Sequence, residues 1–203
     1  MTPDQATATP PSRILPGTGA AARHILVVLV MDRPGVLNRV ASLMRARNFN
    51  IDSLAVSRTD RENISRMTLT LHGDDVAVEQ AAKQLYRLID VLKVQDVTED
   101  QLVEHELALI KVRATPSHRA ELLKIVELYK GRVLDLTADS VIVEYGGTEQ
   151  EIDALIALLG SFGIKELVRT GTIALARGSS SIDVESVLRA EPVPALSPSH
   201  EEE

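Results

Sequence analysis

The chain has 203 residues, of which 44% are apolar and 25% charged, and this composition suits one large or two small globular domains. A net charge of −7 with only 2% aromatic residues argues against nucleic acid, which is usually bound by a basic face and stacking rings. Cysteine is absent, which rules out a disulfide framework and a cysteine-ligated metal and favours a reducing cytoplasm.

The two ends of the chain differ in composition from its middle. Residues 1–22 and 179–203 are rich in Pro, Ser, Ala and Glu, and they offer too little apolar surface to offset the chain entropy lost on folding. We expect a disordered N-terminal arm and a disordered C-terminal tail, the latter with a short helix near 184–190. The longest apolar run, 25–31, is far too short to cross a bilayer, so no membrane contact is expected.

The middle of the chain begins with that apolar run. Its unbroken apolar character predicts a strand covered on both faces. Apolar residues then recur at helical spacing from Val36 to Met44, and Asn48 is placed to end this helix in the left-handed conformation.

A hairpin, a second helix and a closing strand follow. Apolar and polar residues alternate around 54–56 and 67–71, on either side of a turn at 59–63. A helix that starts at the acidic pair 74–75 carries an apolar stripe as far as Ile89, and 91–97 forms a strand. The order βαββαβ predicts a four-stranded antiparallel sheet with both helices on one face.

The remainder of the chain repeats this order. A shift of 82 residues lays Pro116 over Pro34 and Ser117 over Gly35, so the second copy lacks the glycine of the first. The fold class is therefore α+β, with two ferredoxin-like βαββαβ units at 23–98 and 106–178 and a linker at 99–105. The second unit's predicted elements are a strand at 107–112, a helix at 119–130, strands at 132–136 and 141–145, a helix at 152–159 and a strand at 164–176.

The turn from Asp32 to Gly35 has two interpretations. In the structural one, Pro34 occupies a first helical turn, where its missing N–H costs nothing, and the acid complements the helix dipole. Gly35 stays unexplained, because glycine early in a helix costs roughly 0.5–1 kcal/mol relative to alanine. In the functional one, backbone N–H groups near Gly35 and Val36 bind a carboxylate. The residues alone leave the two about even.

Five segments of the chain together resemble one family, the regulatory (small) subunits of acetolactate synthase, also called acetohydroxyacid synthase. A D-x-P-G turn by itself indicates only an ACT-type amino-acid-binding domain, whereas "NFNIDSL" and "SRMT" narrow the resemblance to this family. The segments are 24–60, 65–71, 83–94, 106–114 and 163–178.

The resemblance implies a subunit with no catalytic residues and no cofactor or metal of its own. Its N-terminal ACT domain is expected to form a homodimer by joining two sheets side by side, and to bind valine or another branched-chain amino acid at the interface. The subunit is then expected to bind and activate a catalytic subunit that carries thiamine diphosphate, Mg and FAD. It would also confer feedback inhibition on branched-chain amino acid biosynthesis in the cytoplasm.

Five ligand-binding candidates are carried over by position from the resemblance: Asp32, Gly35, Val36, Asn50 and Ile51. An α-amino acid presents a carboxylate and an ammonium, so its site needs an anion cradle beside an acceptor. The helix start can supply the cradle, and the Asp32 carboxylate or carbonyls of the turn can supply the acceptor. The side chain of Asn50 has both a donor and an acceptor and can close the site across a two-fold axis.

Alternative functions remain open at this point. A free-standing ACT sensor could regulate another enzyme or transcription, although no helix-turn-helix is evident. Acylphosphatase-like enzymes share the topology, but Asp32 would repel a phosphate where they carry a phosphate loop. The five histidines show no metal-ligand spacing. Seven of the arginines in the first unit are interpreted as a solvated face, with contact to an acidic partner as the alternative: Arg33, Arg39, Arg45, Arg47, Arg58, Arg61 and Arg66.

Overall fold

A computed structural model describes residues 22–179 together with 181 and 182. The two expected terminal segments lie almost entirely outside the described residues, and so does the helix expected near 184–190. Ala22, which was assigned to the N-terminal arm, is the first residue of a strand.

The first unit is a four-stranded antiparallel sheet with two helices on one face. Leu26 and Val28 of the first strand share a buried cluster with Val40 of the first helix and Ala81 of the second, which confirms the predicted arrangement. The strand order is β2-β3-β1-β4. The elements are β1 (Ala22–Met31), α1 (Val36–Ala46), β2 (Ile51–Arg58), β3 (Ile64–Gly73), α2 (Asp75–Leu85) and β4 (Val91–Asp96).

The predicted end of α1 is confirmed, and the predicted end of α2 is wrong. Asn48 has a φ of 61°, so the predicted left-handed residue after α1 is confirmed. The stripe predicted to run to Ile89 is wrong at its end, because α2 stops at Leu85 and Ile89 is 92% exposed. The chain turns there through a hydrogen bond from the Leu88 N–H to the Leu85 carbonyl (3.0 Å), which redirects it into β4.

The second unit repeats the topology, with strand order β6-β7-β5-β8. Thr148 and Glu151 form a capping box at the start of its second helix, and this box satisfies backbone groups that a helix terminus leaves without partners. The elements are β5 (Leu102–Arg113), α3 (Arg119–Leu128), β6 (Arg132–Leu136), β7 (Ser140–Gly147), α4 (Glu149–Gly160) and β8 (Ile164–Arg169).

Two boundaries of the second unit differ from the sequence prediction. The strand β5 begins at Leu102, inside the segment predicted as a linker. The single strand predicted at 164–176 is wrong, since β8 ends at Arg169 and a separate strand, β9, covers Ile173–Ala176. Between them Gly171 has a φ of 78°, a left-handed conformation that interrupts an extended strand.

The strand β9 pairs with the first half of β5, and this two-stranded ribbon covers the face of the first sheet that the helices leave open. Ile25 and Val27 point to this open face and are buried together with Ala174 of β9. Arg66 of β3 donates a hydrogen bond to the Ala174 carbonyl at 2.6 Å, and burial lowers the pKa of Arg66. The ribbon therefore ties the second unit to the first.

We expect Leu26→Ala to lower the free energy of unfolding by about 2–5 kcal/mol, because the side chain is fully buried and its loss leaves a cavity. Leu37→Ala is the matched control. Its side chain is 46% exposed, so the loss should not exceed about 1 kcal/mol. Chemical denaturation measures both. Equal losses would contradict the assignment of β1 to the centre of the core.

Candidate functional site

The turn between β1 and α1 lies at the end of the first sheet where β1 finishes. The Asp32 N–H donates to the Asn63 carbonyl at 2.7 Å, which fixes the turn against the β2–β3 hairpin. The Val36 N–H donates to the Arg33 carbonyl at 3.3 Å, so this amide is weakly engaged rather than free. The Val36 side chain is buried in the core, which leaves only its backbone to contact a ligand.

The backbone conformation explains why residue 35 is glycine. Gly35 precedes α1 and has a φ of 85°, a left-handed conformation that residues with a Cβ rarely adopt. A Cβ built there would meet only the Arg39 Nη1 atom, at an ordinary 3.5 Å. The expectation that Gly35 lies within the helix is therefore wrong, and close approach of a ligand is not needed to explain the glycine.

The start of α1 nevertheless differs from the starts of the helices that follow hairpins. Asp74 caps α2 and Thr148 caps α4 with side-chain hydrogen bonds, whereas the start of α1 has no side-chain cap and no acidic residue in its first turn. Backbone N–H groups at an uncapped helix N-terminus favour an anion. This end of the sheet can therefore accept a carboxylate.

Two arginines flank the uncapped turn. The Arg58 Nε donates to Asp32 Oδ2 at 3.0 Å, which occupies one oxygen of the proposed ammonium acceptor. Arg58 is 87% exposed, so this pair contributes no more than about 1 kcal/mol and can be rearranged by a ligand. Arg39 pairs with the buried Asp90 carboxylate, close to Gly35. Neither pairing was evident from the sequence, because the partners lie 26 and 51 residues away along the chain.

Asn50 and Ile51 lie at the opposite end of the same sheet. Ile51 pairs with Leu71, and Leu71 pairs with His24 near the start of β1, whereas the turn follows Met31 at its end. These two positions on β1 are seven residues apart, or about 23 Å at roughly 3.3 Å per residue. The structure thus brings Asp32, Gly35 and Val36 together and places Asn50 and Ile51 at the other end of the sheet.

Polar groups surround this second end. The Asn50 Nδ2 donates to Asp52 Oδ1 at 3.1 Å, and the other oxygen of Asp52 contacts His72 Nδ1. The pairing of β2 with β3 is irregular between Ile51 and Ser53, so Asp52 occupies a bulge. Asn50 itself is exposed and can contact another molecule.

The equivalent turn of the second unit is built differently. Thr115 Oγ1, Ser117 Oγ and His118 Nδ1 lie within 3.1–3.2 Å of one another at the start of α3. Side chains therefore stand where Gly35 leaves the first turn open. Among the residues that the structure describes, no group of three or more acidic or histidine side chains could hold a metal ion. None of the helices in that part of the chain is long and apolar enough to cross a membrane.

The first unit combines a ferredoxin-like sheet with an uncapped glycine turn at the start of α1, and this arrangement suits the ACT domain that its sequence resembles. A family model described as "AHAS small subunit-like ACT domain" matches residues 26–93. A second model, described as "Small subunit of acetolactate synthase", matches residues 105–178. The chain therefore belongs to the acetolactate synthase small-subunit family.

Individual relatives agree with the two models. The chain is 48% identical to the acetolactate synthase small subunit of Aquifex aeolicus over 80% of this chain and 85% of that protein. It is 45% identical to the Bacillus subtilis small subunit over 77% of this chain and 92% of that protein. The crystal structure of the Thermotoga maritima small subunit superposes with a TM-score of 0.73 at 35% identity, over 78% of this chain and 99% of that one.

We expect Gly35→Ala to lower the free energy of unfolding by about 1–2 kcal/mol through backbone strain alone, since its Cβ would meet no steric clash. Gly160→Ala is the matched control. Gly160 ends α4 with an ordinary φ and open space around it, so alanine should leave stability unchanged or raise it by up to about 1 kcal/mol. Denaturant titration compares the two. A neutral Gly35→Ala would contradict the conformational explanation.

Proposed function

We propose that this chain is the non-catalytic regulatory subunit of an acetolactate synthase. In this proposal it binds and activates a catalytic subunit and makes that subunit sensitive to valine or another branched-chain amino acid. The family assignment supports the role of small subunit. One observation supports the effector site: the five candidate residues lie at two opposite ends of one sheet.

A homodimer would reunite the two ends. The strand β2 pairs only with β3, so its other edge is open for pairing in the described part of the chain. If two copies pair antiparallel through β2 about a two-fold axis, the start of one strand meets the end of the other. Asn50 would then approach Arg58 of the second copy, and Arg58 already contacts Asp32.

The interface site proposed in this way contains matching groups for both ends of a zwitterion. The uncapped start of α1 in one copy, with Arg39 and Arg58 close by, attracts the carboxylate. The second oxygen of Asp32 and the side-chain oxygen of Asn50 from the other copy can accept from the ammonium. Ile51 contributes an apolar surface for the aliphatic side chain.

The size of the ligand favours such an enclosed site. Valine has about eight heavy atoms, so micromolar binding, about −8 kcal/mol, requires roughly −1 kcal/mol per atom, near the ceiling for small ligands. Leaving either charged end unpaired would forfeit this efficiency. A site closed by two chains adds the Asn50 oxygen and shields both charged ends of the ligand from water, whereas the turn of one chain leaves them exposed.

Feedback then requires only a modest coupling between two sites. If valine favours one arrangement of the paired domains, and the catalytic subunit favours another, a coupling free energy of about 1–3 kcal/mol changes affinity about 5- to 150-fold. Thiamine diphosphate, Mg and FAD would belong to the catalytic subunit, and this chain would contribute no reacting group. The reaction would take place in the cytoplasm, where branched-chain amino acids are made.

Reconstitution with the purified catalytic subunit tests the proposal. The wild-type chain should raise acetolactate formation, valine should lower it, and calorimetry should detect valine binding to the chain alone. Gly35→Asp should abolish binding and inhibition yet still activate the enzyme, because a carboxylate repels the ligand's own. Ser117→Asp, at the equivalent turn of the second unit, is the matched control and should behave as wild type.

Three results would contradict the proposal in different ways. A wild-type chain that fails to change the activity of the catalytic subunit is not its regulator, and valine binding without that effect would indicate a free-standing sensor. Full valine sensitivity of Gly35→Asp would place the effector elsewhere. Two valine molecules bound per chain would assign a working site to the second unit as well.

A further inference from the structure

We propose that a hydrogen bond between Ser53 and Thr172 carries the effect of the bound amino acid from the ACT domain to the second unit. This inference rests on the proposed function and deepens it by naming the residues that transmit the regulation. Ser53 lies in β2, and Thr172 lies in the link between β8 and β9. The Thr172 N–H donates to Ser53 Oγ at 2.9 Å, and Thr172 is only 2% exposed.

The link from the second unit is shaped closely to Ser53. Gly171 has a φ of 78°, and a Cβ built on it would lie 2.5 Å from Ser53 Oγ, far inside contact distance. The backbone of the link can approach β2 this closely only because residue 171 is glycine. A displacement of Ser53 would therefore move the link with it or stretch the hydrogen bond from the Thr172 N–H.

Within the second unit, Thr172 connects to the rest of the domain through a buried carboxylate. Its Oγ1 donates to Glu106 Oε1 at 2.7 Å, and the Glu106 side chain is 4% exposed. Arg169 donates from Nε and Nη2 to the other oxygen of Glu106, at 2.9 and 2.7 Å. Burying a carboxylate costs desolvation free energy, which these donors offset. Losing one of them leaves the Glu106 carboxylate less well paired and therefore destabilised.

The far end of this network reaches a helix. The Arg169 Nη1 donates to Asp153 Oδ1 of α4 at 2.7 Å. Burial disfavours the charged form of Arg169, but the hydrogen bonds and charges of Glu106 and Asp153 outweigh it and raise the pKa of Arg169 above its ordinary value. The guanidinium thus stays charged and holds β5, β8 and α4 in one arrangement. A shift of Thr172 reaches all three elements through this group.

The near end of the network adjoins the proposed effector site. Ser53 follows Asn50 and Ile51 by three and two residues, and the bulge at Asp52 separates them. An irregular pairing is a place where a strand can change its local path without losing the rest of its ladder. A ligand that fixes Asn50 and Ile51 would therefore change the position of Ser53 more readily than that of the regular residues 54–58.

Other contacts keep the two units together when this hydrogen bond is lost. Arg23 of β1 donates to Glu104 at 2.9 Å and contacts Glu149 at 3.2 Å, and Arg66 donates to the Ala174 carbonyl. The apolar contacts of Ala174 with Ile25 and Val27 also remain. Removing the Ser53 hydroxyl should thus disconnect the signal without separating the units.

The variant Ser53→Ala, with Ser57→Ala as its matched control, tests the inference in the reconstituted enzyme. Ser57 lies on the same face of β2 and makes no hydrogen bond to the second unit in the described part of the chain. Ser53→Ala should bind valine within about twofold of wild type by calorimetry and should still activate the catalytic subunit. Saturating valine should inhibit the Ser53→Ala enzyme far less than the wild-type enzyme, because losing a coupling of about fivefold or more removes the effect of bound valine on the catalytic subunit. Ser57→Ala should match wild type.

Hydrogen exchange on the free dimer supplies a readout that does not depend on the catalytic subunit. Adding valine should change the exchange of the Thr172 amide in wild type and in Ser57→Ala, and leave it unchanged in Ser53→Ala. Unaltered inhibition of Ser53→Ala, an unchanged Thr172 amide in wild type, or loss of valine binding by Ser53→Ala would each overturn the inference. If the wild-type chain itself binds no branched-chain amino acid, the proposed function fails first.

Discussion

The antiparallel register of the first sheet is the constraint on which the proposed regulation depends. It fixes the uncapped start of α1 at one end of β1 and the entry of β2 at the other, about 23 Å apart. No side-chain movement can close such a distance inside one chain. An amino acid that contacts both groups must therefore lie between two copies, and in the proposed dimer its binding would be linked to how the copies are arranged.

The ribbon of β5 and β9 adds a second constraint. One face of the first sheet points away from its helices, and Ile25, Val27 and Leu29 on that face would otherwise be exposed. The ribbon covers Ile25 and Val27, so the second unit is held to the ACT domain by apolar burial as well as by the charges of Arg23 and Arg66. The position of each unit is thus fixed partly by its contacts with the other unit.

Local sequence patterns predicted the features that local interactions determine. The βαββαβ order, the left-handed Asn48 and the helix start at the acidic pair 74–75 follow from periodicity and short-range signals, and all three are observed. The placement of Gly35 inside the helix was wrong, because its left-handed φ depends on where α1 begins to within one residue. Periodicity does not resolve a boundary that finely.

Long-range contacts were outside the reach of the sequence. The break between β8 and β9 lies where the link approaches Ser53, a contact between residues more than a hundred apart in the sequence. The arginines expected on a solvated face include Arg66, which is half-buried and donates a hydrogen bond to the Ala174 carbonyl of β9, and Arg39, which neutralises a buried aspartate. Such pairings depend on the tertiary fold, and a single sequence contains no pattern that reports them.

Mixed dimers test the two-chain site most directly. A dimer of one Gly35→Asp chain and one Asn50→Ala chain has one interface site with both groups intact and one with both altered, whereas every site in either homodimer carries one defect. Calorimetry on the purified mixed dimer should find half of the wild-type valine stoichiometry, with none in the two homodimers. A mixed dimer that binds no valine would contradict the account, because it would place both groups in a site within one chain.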